Sequence, residues 1–273
     1  MPESVSFDRA ADTYDATRGY PEATTGAIGA ALFAAAGGRR GVRVLEIGIG
    51  TGRIALPLLA LGANVSGVDI STRMLDRLRA NLAARQAERP DAPWGTLDLR
   101  QADMTALPFE DGAFDAVVAV HVFHLVYPWE RALDEALRVL APGGSLLLGN
   151  DRHPHSAYAE IQSRWGAILR ELGGDPRAVG VAGESELLAG LRARGLTMHE
   201  SVPVRWEERH TPRQGVQDIA SRVWSRTWRV PDDLFAESVR RLEAWAEEHF
   251  GAALDVPAPE PGEFQLLQAT RPA

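Results

Sequence analysis

Short apolar runs and longer amphipathic stretches alternate along the first half of the chain. The runs predict five strands, at residues 42–47, 64–69, 97–102, 114–120 and 145–150. The stretches between them predict helices at about 53–61, 71–87 and 129–140, with Ser71 as the N-cap of the second. The run at 114–120 is apolar at almost every position, as expected for a strand that helices cover on both faces. The alternation predicts an α/β fold with a doubly wound, mostly parallel sheet.

The second half of the chain carries more helix. We expect helices over 155–172 and 184–194, a long strand over 196–209, helices over 211–250, a loop over 257–262 and a closing strand over 263–269. A helical insertion therefore precedes the last strand. We divide the chain into an N-terminal helical segment (1–40), a core (41–150) and a region that completes the sheet (151–273) and carries the insertion at about 211–250.

Composition removes several kinds of chemistry. The chain has no cysteine, which excludes disulfides and thiolate metal ligands, and no lysine, which excludes a Schiff-base amine. A net charge of -8 disfavours nucleic acid as a partner. The N-terminus lacks the pattern of a signal peptide, and the longest apolar run is too short for a bilayer, so we expect no membrane and a cytoplasmic location.

The segment after the first predicted strand is rich in glycine. Gly48, Gly50 and Gly52 follow Glu46, and such glycines allow positive φ angles and a close approach of a ligand to the backbone. The helix beyond adds a partial positive charge and free N–H groups, which favour a carboxylate or a pyrophosphate. A structural glycine turn is the alternative interpretation.

Two ligand classes compete for this loop. The dinucleotide motif G-x-G-x-x-G would need a third glycine where the chain has Arg53. The carboxylate of Glu46 would repel a pyrophosphate but can help hold an ammonium group. These features favour S-adenosylmethionine (SAM), which carries both a carboxylate and an ammonium group, over NAD.

Two more carboxylates end the next two predicted strands. Asp69 lies 21 residues after Gly48, where it can accept hydrogen bonds from both ribose hydroxyls, although a turn or N-cap aspartate is the alternative. Asp103 can accept from an adenine amino group, although a loop-capping aspartate is the alternative. Polar groups at the carboxyl ends of successive parallel strands lie where open α/β sheets bind ligands.

The motifs resemble those of the class I SAM-dependent methyltransferases, in the branch with ubiquinone, menaquinone and natural-product methyltransferases. The resemblance covers an N-terminal motif at 7–21 and five motifs between residues 44 and 146. The five are Val44–Gly52, Gly67–Ser71, Gln101–Met104, Phe114–Val120 with His121 and His124, and Leu140–Leu146. The resemblance implies a seven-stranded Rossmann-like sheet with an antiparallel last strand, an N-terminal lid and a substrate cap at the insertion. It also implies SAM as the cofactor and S-adenosylhomocysteine as the product.

The resemblance implies roles for individual residues. Gly48 and Gly50 contact the methionine part of SAM, Glu46 and the Ala119 backbone lie toward its ammonium group, and Asp69 binds the ribose. The remaining contacts are Ile70 and Met74 flanking the adenine, Asp103 and Met104 at the adenine edge, and Tyr14, Arg18 and Tyr20 in the lid. For Arg18, a contact with the SAM carboxylate and a solvated surface position remain equally open.

The acceptor is less defined. His124, and with less support His121, follow the fourth strand and have the intrinsic pKa of a neutral-pH base, although packing over the cofactor is an alternative. No combination of residues predicts a metal site. Ala119-Val120-His121 does not match the motif of methyltransferases that act on nucleic-acid bases. We therefore expect methyl transfer to O, N or C of a small molecule, by a monomer or homodimer.

Three further points stay open at this stage. A SAM-binding protein without methyl transfer and an NAD-dependent oxidoreductase are the alternatives to the enzyme. Six arginines in and beside the insertion form a salt-bridged surface or attract an acidic substrate; these are Arg205, Arg209, Arg213, Arg222, Arg226 and Arg229. The tryptophans Trp224, Trp228 and Trp245 pack its core or line a pocket.

Overall fold

The computed structural model describes residues 4–175 and 179–271. Within these residues one sheet has the strand order β3-β2-β1-β4-β5-β7-β6. Its strands are β1 (Arg43–Ile47), β2 (Asn64–Asp69), β3 (Leu97–Gln101), β4 (Phe114–Val120), β5 (Leu140–Arg152), β6 (Thr197–His210) and β7 (Ala258–Thr270). Two of these, β2 and β4, begin and end at the predicted residues.

The helices fill the connections between strands. They are α1 (Tyr14–Arg18), α2 (Glu22–Ala35), α3 (Ala55–Ala60), α4 (Thr72–Glu88), α5 (Trp129–Arg138), α6 (Ala157–Glu171), α7 (Glu184–Ala193), α8 (Pro212–Ala220) and α9 (Asp232–Phe250). Ser71 caps α4 as predicted, because its hydroxyl accepts the Met74 N–H at 3.1 Å. Helices α8 and α9 form the predicted insertion between β6 and β7.

The first five strands pair in parallel. Leu45 of β1 lies between Ser66 of β2 and Val117 of β4, and β4 pairs onward with β5. The last strand, β7, is antiparallel, and the predicted seven-stranded Rossmann-like sheet is confirmed. Because the connections of parallel strands cross over through helices, the carboxyl ends of β1, β2 and β4 share one edge of the sheet.

Strand β5 begins earlier than predicted and contains an irregularity. Phe114 pairs with Leu140 and Ala116 with Ser145, so β5 advances five residues while β4 advances two. The extra residues of β5 between these two pairs include the predicted Pro142-Gly143-Gly144 turn, and Gly143 has a φ of 76°. The turn is therefore a bulge inside the strand rather than a connection in front of it.

The predicted loop over 257–262 is wrong, because β7 already begins at Ala258. Burial alternates along this part of the strand, and Glu260 and Gly262 are buried. A Cβ on Gly262 would lie 2.2 Å from Cε2 of Trp206, so glycine lets the Trp206 ring pack against the strand. Proline fits extended backbone, and its presence here did not end the strand.

Contacts divide the chain into two compact units. Unit 1 contains the described residues of 1–150, 179–204 and 264–273. One of its hydrophobic cores places Leu45, Ile47 and Val117 from the sheet with Leu133 of α5 and Leu191 of α7, all fully buried. This apolar packing fixes the strand ends on which the polar residues lie.

Unit 2 contains the described residues of 151–178 and 205–263. Helices α6, α8 and α9 pack around Trp165, whose indole N–H donates to the Ser238 hydroxyl at 3.0 Å. Trp224 and Trp245 pack against this core, which is the first of the two roles considered for them. Across residues 4–175 and 179–271, no helix has the length and apolar character needed to cross a membrane.

Candidate functional site

The loop after β1 has three glycines in the left-handed region. The φ angles of Gly48, Gly50 and Gly52 are 70°, 55° and 90°. A Cβ on Gly48 would lie 2.6 Å from Cγ2 of Val122, whereas a Cβ on Gly50 would have no neighbour within 4 Å. Gly48 therefore allows the turn after β4 to pack on the loop, and Gly50 faces open space that a ligand can occupy.

Several N–H groups of this loop already donate within the protein. Those of Gly48 and Ile49 both donate to the Val68 carbonyl, at 2.9 and 3.0 Å, and that of Gly50 donates to the Asp69 carboxylate at 3.0 Å. These three amides are engaged because β2 and its terminal aspartate lie beside the loop, whereas the expected free N–H groups are those of the helix beyond it. These amides are not available to bind a pyrophosphate, which counts against a dinucleotide.

Glu46 is a buried carboxyl group in β1. Only 3% of the residue is exposed, and its Oε2 has no hydrogen-bond partner among the described residues. Burial raises the pKa of Glu46 well above its ordinary value, although the nearby Arg53 guanidinium acts in the opposite direction. A buried acceptor of this kind favours a ligand that brings a hydrogen-bond donor.

Asp69, at the end of β2, holds the loop. Its Oδ2 accepts the Gly50 N–H and its Oδ1 accepts the Ser71 N–H at 2.9 Å, so the turn role is real. Burial raises the pKa of Asp69, and the two backbone hydrogen bonds partly offset this shift. Each carboxylate oxygen has a second lone pair, so binding of ribose hydroxyls stays a compatible prediction.

Most of the residues expected around an adenine ring are buried or already hydrogen-bonded within the protein. Asp103 is exposed, and its Oδ1 accepts both the N–H and the hydroxyl of Thr105 at 2.8 Å, which is the capping role considered for it. Met104 is 6% exposed and Met74 only 1% exposed, whereas Ile70 is half-buried. Contact of Met74 with a ring would require its neighbours to move.

Strand β4 ends beside the glycine loop. Ala119 is buried, and His121 has a φ of 53°, with its N–H donating to the Gly149 carbonyl at 3.2 Å. His124 follows in a 3-10 turn (Phe123–Leu125) and is half-buried. Since Val122 packs on Gly48, the turn that carries both histidines lies at the same sheet edge as Glu46 and Asp69.

The N-terminal segment crosses this sheet edge. Val5 N–H donates to the Leu125 carbonyl at 2.9 Å, after β4. The Asp8 carboxylate accepts the Ser71 hydroxyl at 2.5 Å, after β2, and this hydrogen bond lowers the pKa of Asp8. Asp15 accepts a hydrogen bond from Thr51, in the turn after β1. Residues 4–15 thus contact the turns that follow three neighbouring strands, β2, β1 and β4.

Asp15 is the most connected of these carboxylates. It accepts the Thr51 hydroxyl at 2.5 Å and the side-chain amide of Asn81 at 2.9 Å, and Arg77 lies 3.4 Å away. Neither Asp8 nor Asp15 was predicted as a site residue from the sequence. The spacing of aspartates at 8, 12 and 15, opposite the arginines of α4, was the available signal.

The three predicted lid residues lie in or next to this segment. The Tyr14 ring meets the Phe7 ring at 5.8 Å between centroids. The Arg53 guanidinium lies 4.3 Å from the Tyr20 ring centroid and donates to the Arg18 carbonyl at 2.7 Å. Arg53, which replaces the third glycine of a dinucleotide motif, therefore anchors the N-terminal segment.

The structure thus brings together Glu46, Gly48, Gly50 and Asp69, with the turn after β4 and the N-terminal segment beside them. No group of three or more potential ligand side chains among the described residues forms a metal site.

Sequence comparisons match the same part of the chain. A family model described as a methyltransferase domain matches residues 45–148. A demethylmenaquinone methyltransferase of Thermus thermophilus is 43% identical over 108 residues, which are 39% of this chain and 46% of that protein. A phosphatidylethanolamine N-methyltransferase of Cereibacter sphaeroides is 36% identical over 130 residues, 46% of this chain and 61% of that protein. The chain thus spans about half the length of these curated relatives.

Solved structures share the fold at lower identity. The YcgJ protein from Bacillus subtilis superimposes with a TM-score of 0.57 at 20% identity, covering 90% of this chain and 99% of that one. The [4+2]-cyclase SpnF superimposes with a TM-score of 0.59 at 21% identity, covering 98% and 94%. At these identities the likeness shows the fold alone. Residues 45–148 thus match a methyltransferase-domain model, in agreement with the resemblance to the class I SAM-dependent methyltransferases, and the solved structures add the fold.

Proposed function

We propose that the chain is a SAM-dependent methyltransferase with a small-molecule acceptor. The observation that carries the proposal is the pair of carboxyl groups beside the glycine loop, Glu46 and Asp69. Glu46 offers a buried, unpartnered oxygen, and Asp69 is fixed by two backbone N–H groups. SAM carries an ammonium group and a ribose diol, both of which are hydrogen-bond donors.

The fit to SAM is better than the fit to NAD. The Glu46 oxygen suits the ammonium group, and the open space at Gly50 admits the methionine part close to the backbone. The second lone pairs of Asp69 suit the two ribose hydroxyls. The loop amides that a pyrophosphate needs are engaged elsewhere.

SAM, when bound, supplies a methyl group that its positively charged sulfur already activates. The protein then needs to align the acceptor, exclude water and, for a hydroxyl acceptor, remove a proton. His124 is our candidate for that base, with His121 as the second choice, since both follow β4 beside the glycine loop. Residues 4–20, which include Tyr14 and Arg18, act as the cover that excludes water.

A small-molecule acceptor is supported by the acidic net charge and by the residues after β4, which lack the motif of base methyltransferases. Two relatives are named for different acceptors, demethylmenaquinone and phosphatidylethanolamine. Family membership therefore does not select the acceptor.

The test combines binding and turnover. Calorimetry should show binding of SAM and S-adenosylhomocysteine, and NAD should not bind. Incubation with methyl-labelled SAM and a panel of phenols, amines and carboxylic acids should transfer label to an acceptor and release S-adenosylhomocysteine. Stabilisation by NAD but not by SAM would indicate the oxidoreductase. SAM binding without transfer across the panel would indicate a binding protein.

A further inference from the structure

Unit 2 has a polar and aromatic cluster of its own on helix α6. Tyr158, Gln162 and Trp165 are spaced by four and three residues, so they share one face of the helix. Trp165 is fully buried and hydrogen-bonded to Ser238, which fixes its ring. This face therefore has a rigid apolar wall with a polar group beside it.

Gln162 is that polar group. The residue is 8% exposed, and neither its amide nitrogen nor its amide oxygen has a hydrogen-bond partner among the residues that the structure describes. Buried side-chain amides are almost always satisfied by protein or by a ligand or water. An unpartnered buried amide on a helix face is thus an independent sign that something binds there.

Arg226 lies on the same side of unit 2. Its guanidinium carbon is 5.5 Å from the Trp165 ring centroid. The residue is exposed to solvent, and yet burial lowers the pKa of its guanidinium. The guanidinium is therefore partly desolvated although the residue reaches the solvent.

Three of the other five arginines differ from Arg226 in having counter-ions. Arg205 pairs with Glu263, Arg213 with Asp255 and Arg222 with Asp232, so salt-bridged positions are confirmed for these three. Arg226 forms no ion pair with any carboxylate in the described part of the chain. It is a partly desolvated positive charge that contacts the Trp165 ring but has no carboxylate partner among the described residues.

Further ring contacts connect Tyr158 with the aromatic side chains around it. The Tyr158 ring lies 5.5 Å from the Trp224 ring, and the His153 ring lies 5.2 Å from Tyr158 and 6.1 Å from Trp206, all edge to face. Such a wall favours a flat, unsaturated ligand.

We propose that a recess bordered by Tyr158, Gln162, Trp224 and Arg226, next to the buried Trp165, binds the methyl acceptor, and that this acceptor is an aromatic carboxylate. The carboxylate pairs with Arg226, its ring lies against the aromatic side chains, and the Gln162 amide donates to a ligand oxygen. A monoanion fits better than a phosphate, because one guanidinium balances one negative charge and a phosphate ester carries nearly two. The binding site stands on unit 2 alone, and only its role as the acceptor site rests on the proposed function.

The test uses the full chain and three small probes, with tryptophan fluorescence and calorimetry as readouts. Benzoate should bind saturably, and the isosteric neutral benzamide and the dianionic phenyl phosphate should bind at least about tenfold more weakly. Arg226→Gln should lower benzoate affinity by at least about tenfold and leave benzamide unaffected. Gln162→Leu should also weaken benzoate.

Arg205→Gln is the matched control, because it removes an exposed, paired arginine, and it should not change benzoate affinity. Each variant is checked for an unchanged unfolding midpoint, and Arg226→Lys gives a second, conservative change that should keep part of the affinity. Equal binding of benzoate and benzamide, or full affinity in Arg226→Gln, would overturn the proposal. SAM affinity measured on the same variants separates the two proposals. SAM binding without benzoate binding refutes the recess alone, and benzoate binding without SAM binding refutes the cofactor alone.

Discussion

The Thr51 hydroxyl donates a 2.5 Å hydrogen bond to the carboxylate of Asp15, which lies 36 residues earlier in the chain. Thr51 is 1% exposed, in the glycine loop, and Asn81 donates to the other Asp15 oxygen. One carboxylate thus ties the N-terminal segment to the loop and to helix α4. The position of this segment and the conformation of the loop are therefore coupled.

We expect Asp15→Ala to release the N-terminal segment. It leaves the buried Thr51 hydroxyl without its acceptor, which costs about 1–3 kcal/mol of unfolding free energy. Trypsin should cleave the variant after Arg18 faster than it cleaves the wild type, and SAM affinity should fall. Asp12→Ala is the control, because Asp12 forms an exposed ion pair with Arg73 whose loss costs about 0.2–1 kcal/mol. Equal cleavage rates in both variants would refute the coupling.

Asp69→Ala should weaken SAM binding by at least about tenfold, since charge-assisted hydrogen bonds contribute about 1.5–3 kcal/mol. Because Asp69 also holds Gly50 and Ser71, Asp69→Asn is made in parallel. It keeps a side-chain acceptor for the turn but loses the charge. Calorimetry that gives wild-type affinity for both variants would end the ribose assignment.

Gly50→Ala and Gly143→Ala form a matched pair. Both glycines have positive φ angles, 55° and 76°, and in neither case would a Cβ meet an atom within 4 Å. Each substitution should cost about 1–2 kcal/mol through backbone strain. Only Gly50→Ala should also reduce SAM affinity, measured after both variants are shown to be folded. A similar loss in Gly143→Ala would attribute the effect to stability.

Because of Glu46, the free energy of unfolding and the affinity for SAM should depend on pH in opposite ways. Burial raises the pKa of Glu46, so the native state holds a proton that the unfolded chain releases above its ordinary pKa of 4.5. The contribution of Glu46 to stability is present below that value and declines as pH rises toward the native pKa. The stability advantage of Glu46→Gln over wild type should therefore grow with pH in this window, as denaturation at several pH values can show. A constant difference would contradict the shift.

SAM binding should follow the reverse trend. An ammonium group favours ionised Glu46, so wild-type affinity should rise with pH and binding should release a proton, detectable by calorimetry in buffers of different ionisation enthalpy. Glu46→Gln should abolish this dependence.

His124→Ala should lower turnover without changing SAM affinity, because we assign it to the acceptor and not to the cofactor. His210→Ala, an exposed histidine of unit 2, should change neither. Equal losses of turnover and SAM affinity in His124→Ala would make it a residue that packs on the cofactor.

Periodicity predicted the parallel strands well because buried strands between crossover helices have few alternative patterns. It failed at the start of β7, where Pro259 and Pro261 locally indicate a loop but the segment belongs to a strand between β5 and β6, with the Trp206 ring packed against Gly262. It also missed the bulge at Gly143, which depends on pairing with β4.

The residues of the candidate site also fall into those that the local sequence predicts and those that it does not. Asp69 was predictable because its place at a strand end is local. The hydrogen bonds from Asp8 and Asp15 to Ser71 and Thr51 join residues dozens of positions apart, so no local pattern encodes them. The same holds for Arg226, which sequence alone groups with five other arginines.

The order of the strands in the sheet has a consequence for how the chain is made. β7 follows β6 in sequence but lies between β5 and β6, so β6 has no neighbouring strand among the described residues until β7 (Ala258–Thr270) is synthesised. A ribosome-bound chain that ends before β7 therefore leaves β6 without a strand to pair with, and final assembly of this edge waits for β7.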